Sequence, residues 1–187
     1  MVRKVARTLR NSAFAEICGV IEKWNLRNSV FKINKSDLEI LRVDGGSRFI
    51  FAGLDDVEKL KSIKGVTDQW IEEASEISHD DYKQLNLRMR GHTGFPKQII
   101  STFNPISALA WQRGFFFDRE KLNEDGRIIE MAGNVKILKT TYKDNKFLTE
   151  DDIEEIERLE EVDPMYYRVY ALGEWGVIGN LVYTVRS

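Results

Sequence analysis

The run V-T-D-Q-W-I-E-E-A-S-E over residues 66–76 predicts how the centre of this chain folds. It begins as a β-prone stretch and closes with two adjacent glutamates, Glu72 and Glu73. A second β-prone run follows after a helical pattern and ends in S-T-F-N-P over residues 101–105. Two strands joined through a helix usually lie parallel and side by side. The chain is therefore expected to have an α/β fold with a mostly parallel sheet and helices on both faces.

Polar side chains close both of these predicted strands. The carboxyl ends of neighbouring parallel strands meet at one sheet edge, where open α/β sheets bind their ligands. In nucleotide-hydrolysing proteins, an acidic pair there holds Mg²⁺ and orients the attacking water. The alternative is that Glu72 and Glu73 open a surface helix, whose positive end they would stabilise. The pair alone fits that alternative better, and the second strand end is what favours a nucleotide site.

Composition limits the classes of function. The 187 residues are 42% hydrophobic and carry a net charge of −2, which fits one domain without an overall basic surface. Nucleic-acid contact would thus need a local patch or several copies of the chain. Cys18 is the single cysteine, which excludes an internal disulfide and a cysteine-built zinc site. No apolar run of about 18 residues and no secretory leader occurs, so the chain is expected to be soluble and unexported.

Local patterns predict several further elements. Apolar residues at helical spacing predict an amphipathic helix over 11–24, and alternation around Asp44-Gly45-Gly46 predicts a β-hairpin within 30–53. The glycine pair is expected to form a turn, because no Gly-Lys-Ser/Thr ending follows it. Residues 108–117 are predicted to be helical, and residues 135–142 are predicted to form a strand. Three pairs are expected to cap helices: Asp55 with Glu58, Ser78 with Asp81, and Thr149 with Asp152.

Seven stretches, in order and spacing, resemble the large terminase subunit of tailed bacteriophages and prophages, of the PBSX type. They cover nearly the whole chain: R-K-V-A-R-T-L-R-N-S (3–12), F-A-G-L-D (51–55), G-V-T-D-Q-W-I-E-E-A-S-E (65–76), Q-L-N-L-R-M-R-G (84–91), S-T-F-N-P (101–105), T-T-Y-K-D-N-K-F-L (140–148) and Y-Y-R-V-Y-A-L-G-E-W (166–175).

The resemblance implies an ATP-driven DNA-packaging motor with a P-loop NTPase fold of the additional-strand class. Glu72 and Glu73 match the Walker B pair, so Glu72 is expected to hold Mg²⁺, through water, and Glu73 to polarise the hydrolytic water. Ser101, Thr102 and Asn104 match the motif that couples hydrolysis to DNA movement. The implied partners are double-stranded DNA, the portal protein, the small terminase subunit and other copies in a ring. The implied location is the cytoplasm of the bacterial host, without membrane contact.

The sequence also departs from the family pattern. It contains no G-x-x-x-x-G-K-[ST], which the family places on the first strand and loop before residues 3–10. Nuclease carboxylates, which the family places after G-E-W, are absent too. Residues 1–175 are therefore expected to form a partial ATPase domain, and residues 176–187 to begin a linker. ATP and Mg²⁺ are expected in the complete protein, with weak or no binding by this chain alone. The alternatives are a non-catalytic prophage remnant or interaction module, and, less favoured, a helicase-like ATPase.

Ring-shaped motors commonly use an arginine that reaches the nucleotide of a neighbouring subunit, because its charge stabilises the transferring phosphoryl group. The candidates here follow the expected position of the P-loop: Arg3, Arg7 and Arg10. Arg88 and Arg90 are alternatives. The sequence does not choose among these five residues.

Overall fold

The computed structural model describes residues 1–91, 93–117, 128–130 and 135–176, with backbone alone for 57–59 and 128–130. Backbone contacts divide the chain into two compact units, Met1–Phe103 and Asn104–Ser187. The expected domain boundary at residue 175 remains a prediction, and the proposed linker lies outside the described residues apart from Gly176. Within the described part, no helix is both long enough and apolar enough to cross a membrane.

The first unit alternates strands and helices. Its described strands are β1 (Val2–Arg3), β2 (Phe31–Asn34), β3 (Glu39–Arg42), β4 (Arg48–Ile50), β5 (Ala52–Gly53), β6 (Asp68–Glu72) and β7 (Gln98–Thr102). Its described helices are α1 (Ala6–Asn11), α2 (Ala13–Lys23), α3 (Val57–Ser62) and α4 (His79–Arg88).

Four of these strands form a parallel sheet in the order β5-β1-β6-β7. Val2 pairs with Ala52 on one side and with Ile71 on the other. Strands β6 and β7 run in register from Asp68 opposite Gln98 to Glu72 opposite Thr102. The predicted parallel sheet is confirmed, and its strands end at a common edge.

Strand β6 explains why a central strand carries polar residues. Successive side chains of a strand point to opposite faces, and Gln69 and Ile71 are buried while Asp68 and Trp70 are exposed. Gln69 donates a hydrogen bond of 2.9 Å to the Leu85 carbonyl oxygen of α4. This bond offsets part of the cost of burying an amide. Asp68 faces solvent and carries no such cost.

The predicted hairpin is confirmed as part of an antiparallel sheet, β2-β3-β4. In the turn between β3 and β4, the Gly46 amide donates to Asp44 Oδ1 at 2.9 Å. The predicted amphipathic helix over 11–24 is present as α2, which α1 precedes. A hydrophobic core forms here, and its largest buried members include Leu9, Phe14, Ile40 and Phe51. Cys18 is buried in the same core, and burial raises the pKa of its thiol.

Two predicted caps are confirmed, and the third, Asp55 with Glu58, involves a side chain outside the described residues. Ser78 with Asp81, and Thr149 with Asp152, form reciprocal capping boxes at α4 and at the helix that follows Thr149. Asp55 accepts a hydrogen bond from the Ala6 amide at 2.9 Å, at the start of α1. Because β1 and β5 are neighbours, the chain leaving β5 passes the amino end of α1. Asp55 thus has a nonlocal partner.

The second unit contains β8 (Ile128–Glu130), β9 (Lys136–Leu138), α5 (Glu150–Val162) and α6 (Pro164–Tyr166). Strand β9 is shorter than the predicted 135–142. The predicted helix over 108–117 is only partly correct, because 108–110 form turns and a π-helical segment covers Arg113–Phe117.

Two of the sequence stretches in the second unit are joined by side-chain hydrogen bonds. The Tyr142 hydroxyl lies 3.0 Å from Glu157 Oε1 and 3.4 Å from the Tyr167 hydroxyl. The hydrogen bond with Tyr167 is the main cause that raises the pKa of Tyr142. These contacts connect T-T-Y-K-D-N to Y-Y-R-V-Y within one unit.

Candidate active site

Three of the predicted site residues lie at the carboxyl edge of the parallel sheet. Arg3 ends β1, Glu72 ends β6 and Thr102 ends β7. The pairing of Val2 with Ile71 and of Glu72 with Thr102 brings these strand ends side by side. Since side chains alternate along a strand, Arg3, Glu72 and Thr102 share one face of the sheet.

Arg3 and Glu72 form the charged centre of this edge. Arg3 Nη1 lies 4.0 Å from Glu72 Oε2, and Arg3 Nε lies 3.9 Å from Glu76 Oε2. The side chains of Arg3 and Glu72 retain 20% and 25% of their exposure, so solvent only partly screens the pair. Burial raises the pKa of Glu72, and the Arg3 guanidinium opposes that shift. Arg3 therefore favours the ionised carboxylate that a cation site requires.

The same edge leaves hydrogen-bonding capacity unused. Glu72 Oε2 and Arg3 Nε are buried atoms without a hydrogen-bond partner among the described residues. No cluster of three or more histidine, cysteine, aspartate or glutamate side chains within the described ranges could hold a metal. Mg²⁺ needs no such cluster, because one or two carboxylates, water and substrate phosphates usually hold it. Glu72 fits that role, with a buried oxygen available for a bound water.

Glu73 has a strained backbone. Its φ of 51° and ψ of 50° place it in the left-handed region, which is uncommon for residues other than glycine. Such strain costs about 1–3 kcal/mol and concentrates at functional sites. The turn breaks the strand alternation directly after Glu72 and starts a short 3₁₀ segment over Ala74–Glu76.

This geometry disfavours the surface-helix alternative for the acidic pair. The segment after Glu73 is three residues long, and the Glu73 side chain makes no capping hydrogen bond. Glu72 belongs to the strand and lies beside Arg3 rather than at a helix start. Glu72 ends β6, and Glu73 follows it directly at the carboxyl end of the strand.

The three predicted coupling residues have different surroundings. Thr102 is exposed, and its hydroxyl accepts a hydrogen bond from the Trp70 indole at 3.1 Å. Ser101 pairs with Ile71 and is half-buried on the opposite face of β7. Asn104 is the first residue of the second unit, where its carbonyl oxygen accepts from the Ile106 amide at 2.8 Å. The sequence interpretation missed Trp70, although its spacing of two from Glu72 predicts a shared strand face.

The five candidate arginines also have different surroundings. Of the five, Arg3 is the one that lies beside the acidic pair. Arg10 donates to the Lys35 carbonyl oxygen at 2.7 Å, and Arg88 donates to the Leu60 carbonyl oxygen at 3.2 Å. Arg7 and Arg90 are exposed. The structure thus separates Arg3 from the candidates that bind backbone carbonyls elsewhere.

Comparisons with known proteins identify the family of this chain. A family model described as phage terminase large subunit matches residues 1–174. The chain is 35% identical to the PBSX phage terminase large subunit of Bacillus subtilis and 27% identical to the terminase large subunit of Bacillus phage SPP1. These alignments cover 96% and 93% of the chain, but 42% and 41% of the relatives. The chain therefore spans about two fifths of the length of these relatives.

Solved structures show the same fold. The large terminase of a thermophilic bacteriophage superposes with a TM-score of 0.71 at 17% identity, over 100% of this chain and 43% of that one. A complex of that terminase with ADP gives a TM-score of 0.67 at 17% identity, over 94% and 40%. The family model covers 174 of the 187 residues. This chain belongs to the phage terminase large subunit family.

Proposed function

We propose that this chain carries the hydrolytic carboxylates of an ATP-driven motor that packages viral DNA. The observation that carries the proposal is the strained Glu73, which follows Glu72 at the carboxyl edge of a parallel sheet. A backbone cost at this position is reasonable if the turn aims a carboxylate that the reaction needs. Family membership supports the same reaction class.

The two glutamates would have distinct roles. Glu72 would hold Mg²⁺ through water, assisted by Arg3, whose charge favours the ionised carboxylate. When bound, Mg²⁺ would supply positive charge that neutralises the phosphate groups. Glu73 would orient the attacking water and accept its proton, because a carboxylate outside the metal position remains free as a base.

The coupling role is proposed for Ser101, Thr102 and Asn104. The first two end the strand next to the acidic pair, and Asn104 begins the following unit. A change in their hydrogen bonds could therefore pass from the nucleotide to the rest of the protein without a change in net charge. The proposed partners are double-stranded DNA, the portal protein, the small subunit and further copies in a ring.

A non-catalytic interaction module is the second candidate. The 187 residues contain no G-x-x-x-x-G-K-[ST], the loop that grips phosphates in ATPases of this class. A chain without that loop would bind nucleotide weakly while keeping its fold. The two candidates therefore differ in what happens when a P-loop segment is supplied.

The test compares this chain with a complete ATPase, meaning a protein in which residues 1–176 follow a family P-loop segment. We expect negligible ATP hydrolysis by the chain alone and magnesium-dependent turnover of about 1 s⁻¹ or faster by the complete ATPase. Phosphate release measures both. Turnover by the chain alone would contradict the role of the missing loop. A folded but inactive complete ATPase would favour the interaction module.

We expect Arg3 to act within its own subunit. Arg3→Ala should lower turnover about tenfold or more, because it removes a charged partner of Glu72. Arg3→Ala subunits are then mixed with Glu73→Gln subunits of the complete ATPase. If Arg3 acts in its own subunit, every active site in the mixture lacks either Arg3 or Glu73. Turnover of the mixture then equals the average of the two variants measured separately. Turnover above that average would show that Arg3 acts on a neighbouring nucleotide.

A further inference from the structure

We propose that Trp70 is a positioning residue that fixes the Thr102 oxygen and leaves the hydroxyl proton available for donation at the nucleotide edge. This inference rests on the proposed function. The Trp70 indole Nε1 lies 3.1 Å from Thr102 Oγ1, a direct side-chain link from β6 to β7. Trp70 pairs with Ile100, and Glu72 pairs with Thr102, so the indole reaches diagonally towards the residue opposite Glu72.

The direction of this bond follows from the chemistry of the two groups. An indole N–H can only donate, so the Thr102 oxygen must accept. The hydroxyl keeps one proton of its own, which is directed at the Ile71 carbonyl oxygen over a long 3.5 Å. A bond of that length contributes little, and the proton can turn to a better acceptor. Trp70 thus occupies a lone pair and leaves the proton available.

An available proton opposite Glu72 suits an anionic acceptor. A phosphate oxygen accepts hydrogen bonds and cannot donate when ionised, so a hydroxyl with an available proton suits it. Without the indole, the Thr102 oxygen would lose the bond that holds it in place. Trp70 would therefore set the position of the Thr102 hydroxyl before nucleotide binds, which lowers the reorganisation needed in the reaction.

The surroundings of Trp70 argue against a purely packing role. A tryptophan that only filled the core would be buried, but Trp70 is 39% exposed and its neighbour Ile100 is 49% exposed. Gln69 and Ile71, on the other face of the same strand, are buried and supply the packing. The hydrogen bond to Thr102 is therefore a specific interaction of the exposed Trp70 ring.

The first experiment tests the bond in the chain itself by NMR. The indole N–H signal of Trp70 is assigned by its loss in Trp70→Phe. We expect it to exchange with D₂O more slowly than the signal of Trp24, which is 66% exposed. Thr102→Val should shift the Trp70 signal and speed its exchange, whereas Thr102→Ser should preserve both. If Thr102→Val changes neither the chemical shift nor the exchange rate of the Trp70 signal, the proposal is overturned. Thermal unfolding confirms that each variant is folded.

The second experiment tests the consequence in the complete ATPase. Trp70→Phe should lower kcat about two- to tenfold, the worth of one hydrogen bond, with little change in KM. The same substitution in a Thr102→Val background should have no further effect, because the partner is already gone. Trp24→Phe is the matched control and should leave kcat unchanged.

The outcomes separate the two proposals. Independent, multiplying effects of Trp70→Phe and Thr102→Val on kcat would overturn the positioning role, as would no effect of Trp70→Phe in an active enzyme. An unaltered complete ATPase without turnover would instead remove the proposed function, and with it any role of Trp70 in catalysis, even if the NMR bond is present.

Discussion

Glu73→Gln is expected to lower ATP turnover by the complete ATPase about 10²–10⁴-fold, the usual contribution of a general base. Glutamine keeps the size and the hydrogen bonding of the side chain but cannot accept the proton of the attacking water. ATP binding should change little, because Glu72 and the P-loop segment remain. Steady-state phosphate release and nucleotide titration measure the two quantities separately.

Glu76→Gln is the matched control for this prediction. Like Glu72, Glu76 lies near Arg3, at 3.9 Å, but its side chain is 46% exposed and it sits beyond the strained turn. Its substitution should alter turnover far less than Glu73→Gln. Equal losses would point to the overall charge of the edge, and unimpaired turnover in Glu73→Gln would remove Glu73 from the catalytic role.

Glu73→Gly separates catalysis from folding at the same position. Glycine adopts the left-handed conformation without the steric cost that other residues incur, so we expect the free energy of unfolding of the chain to rise by about 1 kcal/mol. Turnover in the complete ATPase should still be lost. Chemical denaturation of the chain measures the first effect, and a decrease in stability would contradict the strained conformation.

Gly53→Ala is expected to destabilise the chain by about 3 kcal/mol, at the upper end of the usual cost of overpacking. A Cβ at this position would lie 2.1 Å from the Ala6 amide nitrogen and 2.7 Å from the Ala6 Cα. These are backbone atoms beside the paired residues Arg3 and Gly53, so they cannot move without disturbing the junction of β1 and β5. The clash also displaces Asp55 from the Ala6 amide.

Thermal unfolding measures this effect, and a loss of about 3 kcal/mol corresponds to a decrease in Tm of roughly 6–12 °C for a chain of this size. Gly19→Ala is the control. Gly19 is an exposed residue within α2, and an added Cβ there would meet no atom within 4 Å. Alanine favours a helix interior, so Gly19→Ala should raise stability by about 0.5–1 kcal/mol. A wild-type Tm in Gly53→Ala would show that the strand junction accommodates the methyl group.

Short-range patterns in the sequence were sufficient to predict much of the fold. The strand ends at Glu72 and Thr102, the hairpin turn at Asp44, and the capping boxes of Ser78 and Thr149 all depend on residues a few positions apart. Their energies are set within one segment, so the order of the residues predicts them. The acidic pair was found in the same way, because a strand and its end are local features.

The partners within the candidate site depend instead on how distant segments align. Asp55 accepts from the first amide of α1 because β1 and β5 are neighbours in the sheet. Arg3 reaches Glu72, and Trp70 reaches Thr102, because strand register brings together residues that are far apart in the chain. The left-handed turn at Glu73 is likewise a cost that local preference opposes and the surrounding fold must support. Residue types therefore predicted which side chains are candidates for the site. Sheet order and strand register determined which of these side chains are in contact, because their energies arise between distant segments.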